Sequence, residues 1–294
     1  MFRKRQTLGD NIFDASINIV GVLIFIIMAY PMYFVIIASF SDITAVSRGM
    51  VWLWPKNISL EGYKRVLEDG RIWKGYLNTI IYTGAGTFFS LLFTMPAAYA
   101  LSRRDLAGRN GIMMYFVFTM FFSGGLIPTY LRVYSFGLVD TVWVVLIPFS
   151  VSAYNLIIAR TYFASTIPLE LLEAARIDGC SNTRFFISVV LPLSKAILAV
   201  IGLYCAVGQW NQFFTSLVYM RRDELMPLQV ILRRILLLNS ITTEMLGPDQ
   251  YDRARLADVM KYSIIIISTA PVMCFYPFIQ KHFTKGVMIG SLKG

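Results

Sequence analysis

Six long windows without Asp, Glu, Lys or Arg constrain the fold of this sequence more than any other feature. They cover residues 15–41, 75–102, 110–131, 141–159, 196–220 and 262–280. Their lengths are 27, 28, 22, 19, 25 and 19 residues, and a helix needs about 20 apolar residues to cross a bilayer. Soluble helices carry a polar face, whereas only 15% of this chain is charged. The windows therefore predict an all-α polytopic membrane protein.

The windows hold six predicted spans, and the segments between them are loops of one membrane domain. The sequence shows no internal repeat and no low-complexity linker, so residues 1–294 are predicted to form a single domain. Gly124, Gly125 and Pro128 predict an irregular or kinked end for the third span. The first apolar run is too long for a cleaved signal peptide. The spans are placed at about 17–39, 76–101, 111–130, 140–159, 196–218 and 260–280.

Composition argues against several other classes of protein. The net charge is +10, but the basic residues are scattered among the loops, so charges flanking membrane spans explain them better than nucleic-acid binding. The three cysteines have no metal-ligand spacing, and neither a metal site nor a disulfide framework is predicted. The Lys and Arg counts on the two sides of the spans leave the orientation in the membrane open.

Three functional alternatives can be compared on charge and motif content. An ion-coupled secondary transporter usually keeps ionisable residues inside the membrane, but the six windows have none, and His282 lies at the edge of the last one. The chain has no Gly-x-x-x-x-Gly-Lys-Ser/Thr signature, so a partner would have to supply energy from a nucleotide. The spans offer no catalytic constellation of a membrane enzyme. A non-transporting membrane scaffold stays open at this point.

The polar segment between the fourth and fifth predicted spans holds two short helical patterns. Ser165 or Thr166 is suited to cap the first helix, and Gly179 is suited to stop it. Ser181 is suited to start the second helix, which is expected to end before Pro192. The segment therefore predicts two short helices with a glycine corner on one face of the membrane.

Small and charged residues share the first of these two helices. Ala174 and Ala175 form a flat patch that is flanked by Glu173, Arg176 and Asp178. A patch of small residues lets another protein approach closely, but an ordinary interfacial loop could carry the same residues without a partner. The residue types alone leave both interpretations open.

Residues 173–192 resemble the EAA motif of bacterial ABC import permeases. That motif is Glu-Ala-Ala, three residues, Gly, nine residues and then Ile-x-Leu-Pro, and this sequence matches it with Val189 in place of isoleucine. The tail at 285–294 is similar to the end of carbohydrate-uptake (MalG-like) permeases. The runs 122–130 and 52–55 are similar to a narrower group, the LplC/YtcP-like permeases. That group is associated with complex oligosaccharides, including uronate-containing ones.

The resemblance implies a type I ABC importer (MetI-like) transmembrane domain in the bacterial cytoplasmic (inner) membrane, with both termini in the cytoplasm. It implies that coupling helices at about 166–191 seat in a cleft of a separate ATPase subunit dimer. That ATPase would bind ATP and Mg, so this chain would carry no cofactor and would not be an enzyme. The residues implied to couple are Glu173, Ala174, Ala175, Arg176, Asp178, Gly179, Leu191 and Pro192.

Other partners follow from the same resemblance. They are a second homologous permease, usually a different chain so that the pair is a heterodimer, an extracytoplasmic solute-binding protein, membrane lipid and a sugar substrate. No nucleic acid is implied. The function implied is that of a permease subunit for ATP-driven import of oligosaccharides, which forms the translocation path.

Polar uncharged residues within the predicted spans are candidates for that path. Aromatic ring faces stack on the C–H surfaces of sugars, and amides bond hydroxyl groups. The alternative for each residue is a hydrogen bond between helices. The cluster at 209–212 is favoured for substrate contact. The candidates are Asn78, Tyr154, Asn155, Gln209, Trp210, Asn211 and Gln212.

Overall fold

The computed structural model describes residues 8–238 and 258–274, and no strand occurs among them. By its internal contacts the chain divides into two compact units, residues 1–69 with 234–269 and residues 70–233 with 270–294. The helices are α1 Leu8–Ser39, α2 Ile43–Ser47, α3 Glu61–Glu68, α4 Gly70–Ser102, α5 Arg109–Phe121, α6 Leu126–Ser135, α7 Trp143–Leu146, α8 Ala153–Thr166, α9 Leu169–Ile177, α10 Asn182–Phe185, α11 Leu191–Leu193, α12 Lys195–Trp210, α13 Phe214–Tyr219, α14 Leu228–Leu238 and α15 258–274.

The first unit contains α1, whose apolar surface is exposed on nearly every face. Phe25 is 69% exposed and Ile27 is 70% exposed. A helix that is apolar all round is suited to hydrocarbon surroundings and not to water. The part from Ile12 to Ser39 is long and apolar enough to cross a membrane, which agrees with the first predicted span.

The remaining elements of the first unit pack close to the end of α1. Asp42 caps α2 by accepting hydrogen bonds from the backbone N–H groups of Thr44 and Ala45, at 3.1 and 3.3 Å. The hydroxyl of Thr44 and these N–H groups hold the pKa of Asp42 below its usual value. In α3, Gly62 lies against α15, where a Cβ atom at Gly62 would be 2.5 Å from the carbonyl oxygen of Val259.

The second unit is organised around α4, whose 33 residues give a length of about 50 Å at 1.5 Å per residue. One buried core surrounds the C-terminal end of α4 and the other lies near its N-terminal half. The first core contains Met95, Ala98, Tyr99, Leu101, Met113, Leu156, Ala159, Phe163, Leu172, Phe185, Val190, Ile197 and Ile201. The second contains Tyr82, Val133, Val144, Val145, Tyr219, Met220, Met226 and Val230. Because α4 belongs to both cores, it connects the two ends of this unit.

The described residues include two single helices that are long and apolar enough to cross a membrane, Ile12–Ser39 and Gly70–Ser102. Two bent pairs of helices bring the number to four if each pair counts as one span. The first pair is α5 with α6, bent by 118°, and the second joins Asn182–Leu193 to α12, bent by 84°. Six spans therefore remain a prediction.

Three of the predicted spans differ from the helices in detail. The fifth, placed at 196–218, is interrupted, because α12 ends at Trp210 and α13 begins only at Phe214. The kinked end of the third span is confirmed, because the chain leaves the helix between α5 and α6 and Gly125 has a φ of +85°. The fourth predicted span, at 140–159, is not one helix, since α7 and α8 are separated by irregular chain around Pro148. Proline lacks a backbone N–H, so Pro148 cannot donate the hydrogen bond that would continue the helix. Residues 275–280 of the sixth predicted span lie outside the described residues.

Candidate coupling surface and translocation path

The first helix of the predicted coupling segment, α9, begins at Leu169 after an extended Pro168. Ser165 and Thr166, which were expected to cap α9, are instead the last residues of α8. The turn between the two helices falls at Ile167, which is extended with φ −98° and ψ 104°. A residue that precedes proline is pushed out of the helical region, so the break is fixed there and the capping prediction was wrong.

The glycine corner after α9 is confirmed. Gly179 has a φ of +70°, a left-handed conformation that glycine adopts without a Cβ penalty. Its N–H donates to the carbonyl of Arg176 at 3.0 Å, and the N–H of Cys180 donates to the carbonyl of Ala175 at 2.9 Å. These two bonds form a Schellman motif, which satisfies the last carbonyls of the helix. Ser181 then caps α10 by accepting from the N–H of Arg184 at 3.3 Å.

The helical run after the corner continues through Pro192, so the prediction that it ends before this proline was wrong. Residues Phe186–Val190 form a π-helical segment that joins α10 to α11. Proline in a regular α-helix removes one hydrogen bond and crowds the carbonyl four residues before it. A π segment has wider turns with bonds to i+5, which accommodates the proline. The chain turns sharply at Ser194, before α12.

The predicted coupling residues lie mainly on the outer surface of α9 and its corner. Glu173, Ala174, Arg176, Asp178 and Gly179 are exposed. Two more, Ala175 and Leu191, are half-buried, and Pro192 is exposed at the far end of the second helical run. The structure thus brings the members at 173–179 together, with 191–192 at the opposite end of the segment.

An apolar underside attaches these helices to the end of α4. Leu172 is 6% exposed and Phe185 is 1% exposed, and both belong to the same core as Tyr99 and Phe163. On the outer side, Ile177 is 86% exposed. A single exposed apolar side chain is common on protein surfaces, but this one lies within the predicted coupling surface at 173–179. Sequence reasoning missed Ile177, although its position between Arg176 and Asp178 was visible in the sequence.

A network of charged side chains joins the loop after α4 to both coupling helices. Asp105 accepts from Arg176 Nη2 at 2.8 Å and from Arg103 Nε and Nη2 at 2.9 and 2.5 Å. Arg103 Nη1 also donates to Asn182 Oδ1 at 2.7 Å. The guanidinium of Arg103, helped by that of Arg176, holds the pKa of the Asp105 carboxyl well below its usual range. Reciprocally, Asp105 raises the pKa of Arg103.

This network changes the role expected for Arg176. Its guanidinium bonds within the chain, whereas the sequence grouped it with residues that face the ATPase. Asp105 and Asn182 were not singled out, because their partners are 71 and 79 residues away along the chain. The nearest signal in the sequence was the group of Arg103, Arg104 and Arg109 in one short loop.

Two candidates for the translocation path, Asn78 and Asn155, are engaged in hydrogen bonds to distant parts of the chain. Asn78 Nδ2 donates to the carbonyls of Glu224 and Met226 at 2.8 and 3.1 Å. Asn155 Nδ2 contacts the Sγ atom of Cys205 at 3.6 Å. These contacts favour the helix-joining alternative for Asn78 and Asn155.

The cluster at 209–212 lies where α12 ends, and its members point in different directions. Gln209 packs against Gly86, where a Cβ atom would be 2.7 Å from the amide, and donates to the carbonyl of Val145 at 3.5 Å. Trp210 is only 7% exposed and meets the ring of Tyr76 edge-on at 5.8 Å. The ends of the cluster differ, because Asn211 is exposed and donates to the carbonyl of Val207, whereas Gln212 is half-buried.

A cavity of about 440 Å³ lies beside α4 and α12. Its lining is mostly small and apolar, and Trp210 is the one path candidate among its lining residues. Thr83 and Trp210 are the lining residues whose side chains carry a polar atom. Of the remaining candidates, Tyr154 is 56% exposed at the start of α8. Tyr154, Asn211 and Gln212 therefore keep surface that a ligand could reach.

The other end of the second unit carries its own charged cluster. Asp140 Oδ1 accepts from the backbone N–H groups of Arg221 and Arg222 at 2.9 and 3.1 Å, and Oδ2 accepts from Arg222 Nε at 3.1 Å. These bonds hold the pKa of Asp140 below its usual value. The rings of Tyr130 and Tyr219 stack beside them at 5.6 Å. This cluster ties the loop before α7 to the segment after α13.

The second unit thus has a long α4 that belongs to two cores, a chain that bends by 84° before α12, and an exposed helical corner after α9. Residues 69–289 match the family described as "Binding-protein-dependent transport system inner membrane component", and the chain belongs to this family. It is therefore an inner-membrane transporter subunit of the ABC permease class and not an enzyme, and ATP hydrolysis in this class is performed by a separate subunit. The family also implies a binding protein and a second permease as partners.

Individual relatives are similar over almost the whole chain. "Protein LplC" of Bacillus subtilis (strain 168) is 39% identical over 90% of this chain and 89% of its own length. The "Polygalacturonan/rhamnogalacturonan transport system permease protein YtcP" of the same organism is 38% identical over 97% of this chain and 99% of its own length. These similarities confirm the predicted resemblance to carbohydrate-uptake permeases.

A solved structure shows the same fold. It is described as "Crystal structure of a bacterial ABC transporter involved in the import of the acidic polysaccharide alginate". The similarity has a TM-score of 0.86 at 35% identity, over 95% of this chain and 99% of that chain. The MetI-like, all-helical fold class predicted from the sequence is thereby confirmed, whereas the number of spans is not.

Proposed function

We propose that this chain is a permease subunit for ATP-driven import of complex, uronate-containing oligosaccharides. The observation that carries the proposal is the exposed corner at 173–179, which stands on a buried apolar core in a chain of the ABC permease family. The substrate class is supported by two similar proteins. The name of one concerns polygalacturonan and rhamnogalacturonan, and the description of the other concerns the acidic polysaccharide alginate.

The corner is proposed to seat in a cleft of the ATPase subunit. Exposed Glu173 would pair with a basic residue of that cleft, and the small side chains of Ala174 and Ala175 permit close approach. Exposed Ile177 adds an apolar contact at the centre of the surface. This placement puts the corner and both chain termini in the cytoplasm and is compatible with six spans. ATP and Mg bind to the ATPase.

Translocation is proposed to use the side chains that keep accessible polar or aromatic surface. Tyr154 presents a ring and a hydroxyl, and Asn211 and Gln212 present amides at the end of α12. Rings stack on sugar faces, and amides bond hydroxyls. Gln209 and Trp210 are proposed to shape the path through their packing. A second homologous permease would supply the other half of the path, and a solute-binding protein would deliver the sugar from outside.

Co-purification tests the coupling surface. Glu173→Lys and Gly179→Val are expected to reduce the amount of ATPase that purifies with the tagged permease. Gly137→Val is the matched control for the glycine, since Gly137 is also left-handed, with a φ of +68°, and also has open space around a Cβ atom. Undiminished ATPase recovery in both variants would refute the proposed surface. An equal loss in the Gly137→Val control would show that backbone strain, and not the position of Gly179 in the surface, causes the loss in Gly179→Val.

Uptake tests the substrate class. Proteoliposomes with the complete complex are expected to accumulate radiolabelled trigalacturonate in preference to maltotriose, and excess unlabelled oligogalacturonate should compete. Tyr154→Ala and Asn211→Ala should lower uptake at unchanged ATPase recovery. Preference for maltotriose would refute the uronate proposal while leaving the permease function intact.

A further inference from the structure

The corner between α9 and α10 is held by two polar contacts that flank Gly179 symmetrically. Arg176 lies three residues before the glycine and bonds to Asp105, and Asn182 lies three residues after it and bonds to Arg103. Both partners belong to the short loop that follows Ser102, the last residue of α4. The corner is thus connected to the end of α4 on both sides.

The apolar core beneath the corner holds it against the end of α4 but does little to fix its orientation. Leu172 and Phe185 pack against Tyr99 and Phe163, and burial of apolar surface is a non-directional interaction. Charge-assisted hydrogen bonds from a planar guanidinium, in contrast, impose a specific geometry. The orientation of the corner about the end of α4 therefore depends on the polar contacts.

Asp105 is the shared acceptor of this arrangement. One carboxylate receives two bonds from Arg103 and one from Arg176. Arg103 itself is only 14% exposed in its side chain and lies 6.0 Å from the centre of the Tyr99 ring, and Tyr99 stacks on Phe186 at 5.2 Å. Arg103 is thus fixed by packing, whereas Arg176 is 51% exposed. Loss of the carboxylate would free Arg176 and α9 while leaving Arg103 in place.

We propose that Asp105 is a positioning residue for energy coupling, because it fixes the α9–α10 corner to the end of α4. Displacement of the corner by the ATPase then moves α4, which is common to both cores of the second unit. Without Asp105 the corner would slide over its apolar core when the ATPase displaces it, and α4 would move by a smaller distance. This inference rests on the proposed seating of the corner in the ATPase.

The test measures whether nucleotide at the ATPase reaches the cavity beside α4. Gly84 of α4 lines that cavity, is exposed and has open space around a Cβ atom, so Gly84→Cys, in a chain with Cys180, Cys205 and Cys274 replaced by alanine, provides a reporter thiol. The complete complex in proteoliposomes is treated with ATP and vanadate, trapped nucleotide is quantified, and the rate of reaction with a maleimide is compared with the nucleotide-free rate. This readout needs no transported sugar.

Asp105→Asn is expected to leave nucleotide trapping unchanged and to reduce the nucleotide-dependent change in thiol reactivity about two- to fivefold, the range that follows from losing a partly exposed ion pair. Arg176→Gln should have the same effect. The double variant should be no worse than either single one, since neighbours that act through one contact are non-additive. Asp105→Glu should restore part of the response. Arg104→Gln, a charge change at the neighbouring position, should resemble the unmodified complex.

The positioning role would be overturned if Asp105→Asn kept the full nucleotide-dependent change in thiol reactivity. It would also be overturned if the losses of that change in the two single variants added up in the double variant. Equal losses in Asp105→Asn and Arg104→Gln would also overturn it, because they would reflect the net charge of the loop. Failure of the proposed coupling surface gives a different pattern. In that case Glu173→Lys would keep both nucleotide trapping and the reactivity change, or the unmodified complex would show no reactivity change with nucleotide.

Discussion

The contact between Gly62 in α3 and α15 gives a prediction about stability that can be worked from distances. A Cβ atom at Gly62 would be 2.5 Å from the carbonyl oxygen of Val259 and would also meet the hydroxyl of Ser263. Ordinary contact begins at 3.4 Å, so Gly62→Ala requires the two helices to separate by about 0.9 Å. The hydroxyl of Ser263 can rotate away, but the carbonyl of Val259 belongs to the backbone of α15 and cannot.

Backbone shifts of this kind cost about 1–3 kcal/mol, and alanine regains up to about 1 kcal/mol over glycine in a helix. The net expectation for Gly62→Ala is a loss of about 1–2 kcal/mol. At about 2–4 °C per kcal/mol for a large domain, the apparent melting temperature should fall by about 2–8 °C. The assay is thermal unfolding of the purified chain in detergent, followed by a thiol-reactive dye or by light scattering.

Gly84→Ala is the control, because Gly84 lies inside α4 and nothing lies within 4 Å of a Cβ atom there. Its melting temperature should be unchanged or slightly raised. Adding Ser263→Ala to Gly62→Ala should restore only part of the loss, since the carbonyl contact remains. Equal melting temperatures for Gly62→Ala and Gly84→Ala would refute the packing argument, and full recovery in the double variant would show that the side chain was the whole obstacle.

Three further predictions concern the second unit. Phe185→Ala removes a side chain that is 1% exposed and should cost about 3–5 kcal/mol, seen as a lower denaturation midpoint together with reduced ATPase recovery. Asn78→Leu removes two hydrogen bonds to backbone carbonyls and should cost about 1–3 kcal/mol in the same measurement. Because the folded-state pKa of Asp105 is depressed, its contribution is present above its unfolded pKa and is lost as pH falls through the lower folded value. The difference in melting temperature between the unmodified chain and Asp105→Asn should therefore shrink between pH 7 and pH 3.

Charge-free windows and short-range signals were strong enough to predict much of this protein. An apolar helix such as α1 is defined by its own residues, because a long run without charge has no favourable place in water. The glycine corner could be predicted for a similar reason. Gly179 and Ser181 bond to backbone groups only a few residues away. Their roles can therefore be predicted from the residues within one or two helical turns.

Bends and breaks were less accessible to sequence reasoning. The irregular chain around Pro148 and the π segment before Pro192 both follow from prolines, yet one proline interrupts a predicted span and the other is passed without a break. A proline sets a local cost, and whether the chain ends a helix or widens it there depends on what packs around it. The absence of charge from residues 141–159 therefore could not show that Pro148 interrupts the helix there.

The tertiary structure alone decided which polar residues are free. Asn78 and Gln209 were candidates for sugar contact by residue type, but their partners are 146 and 64 residues away along the chain. Arg176 was assigned by its place in a motif, but Asp105, 71 residues away, occupies its guanidinium. The sequence determined that the chain is a helical membrane protein with a glycine corner after α9, because hydropathy and capping act locally. The assignment of each polar side chain depended on distant neighbours, and only folding brings those together.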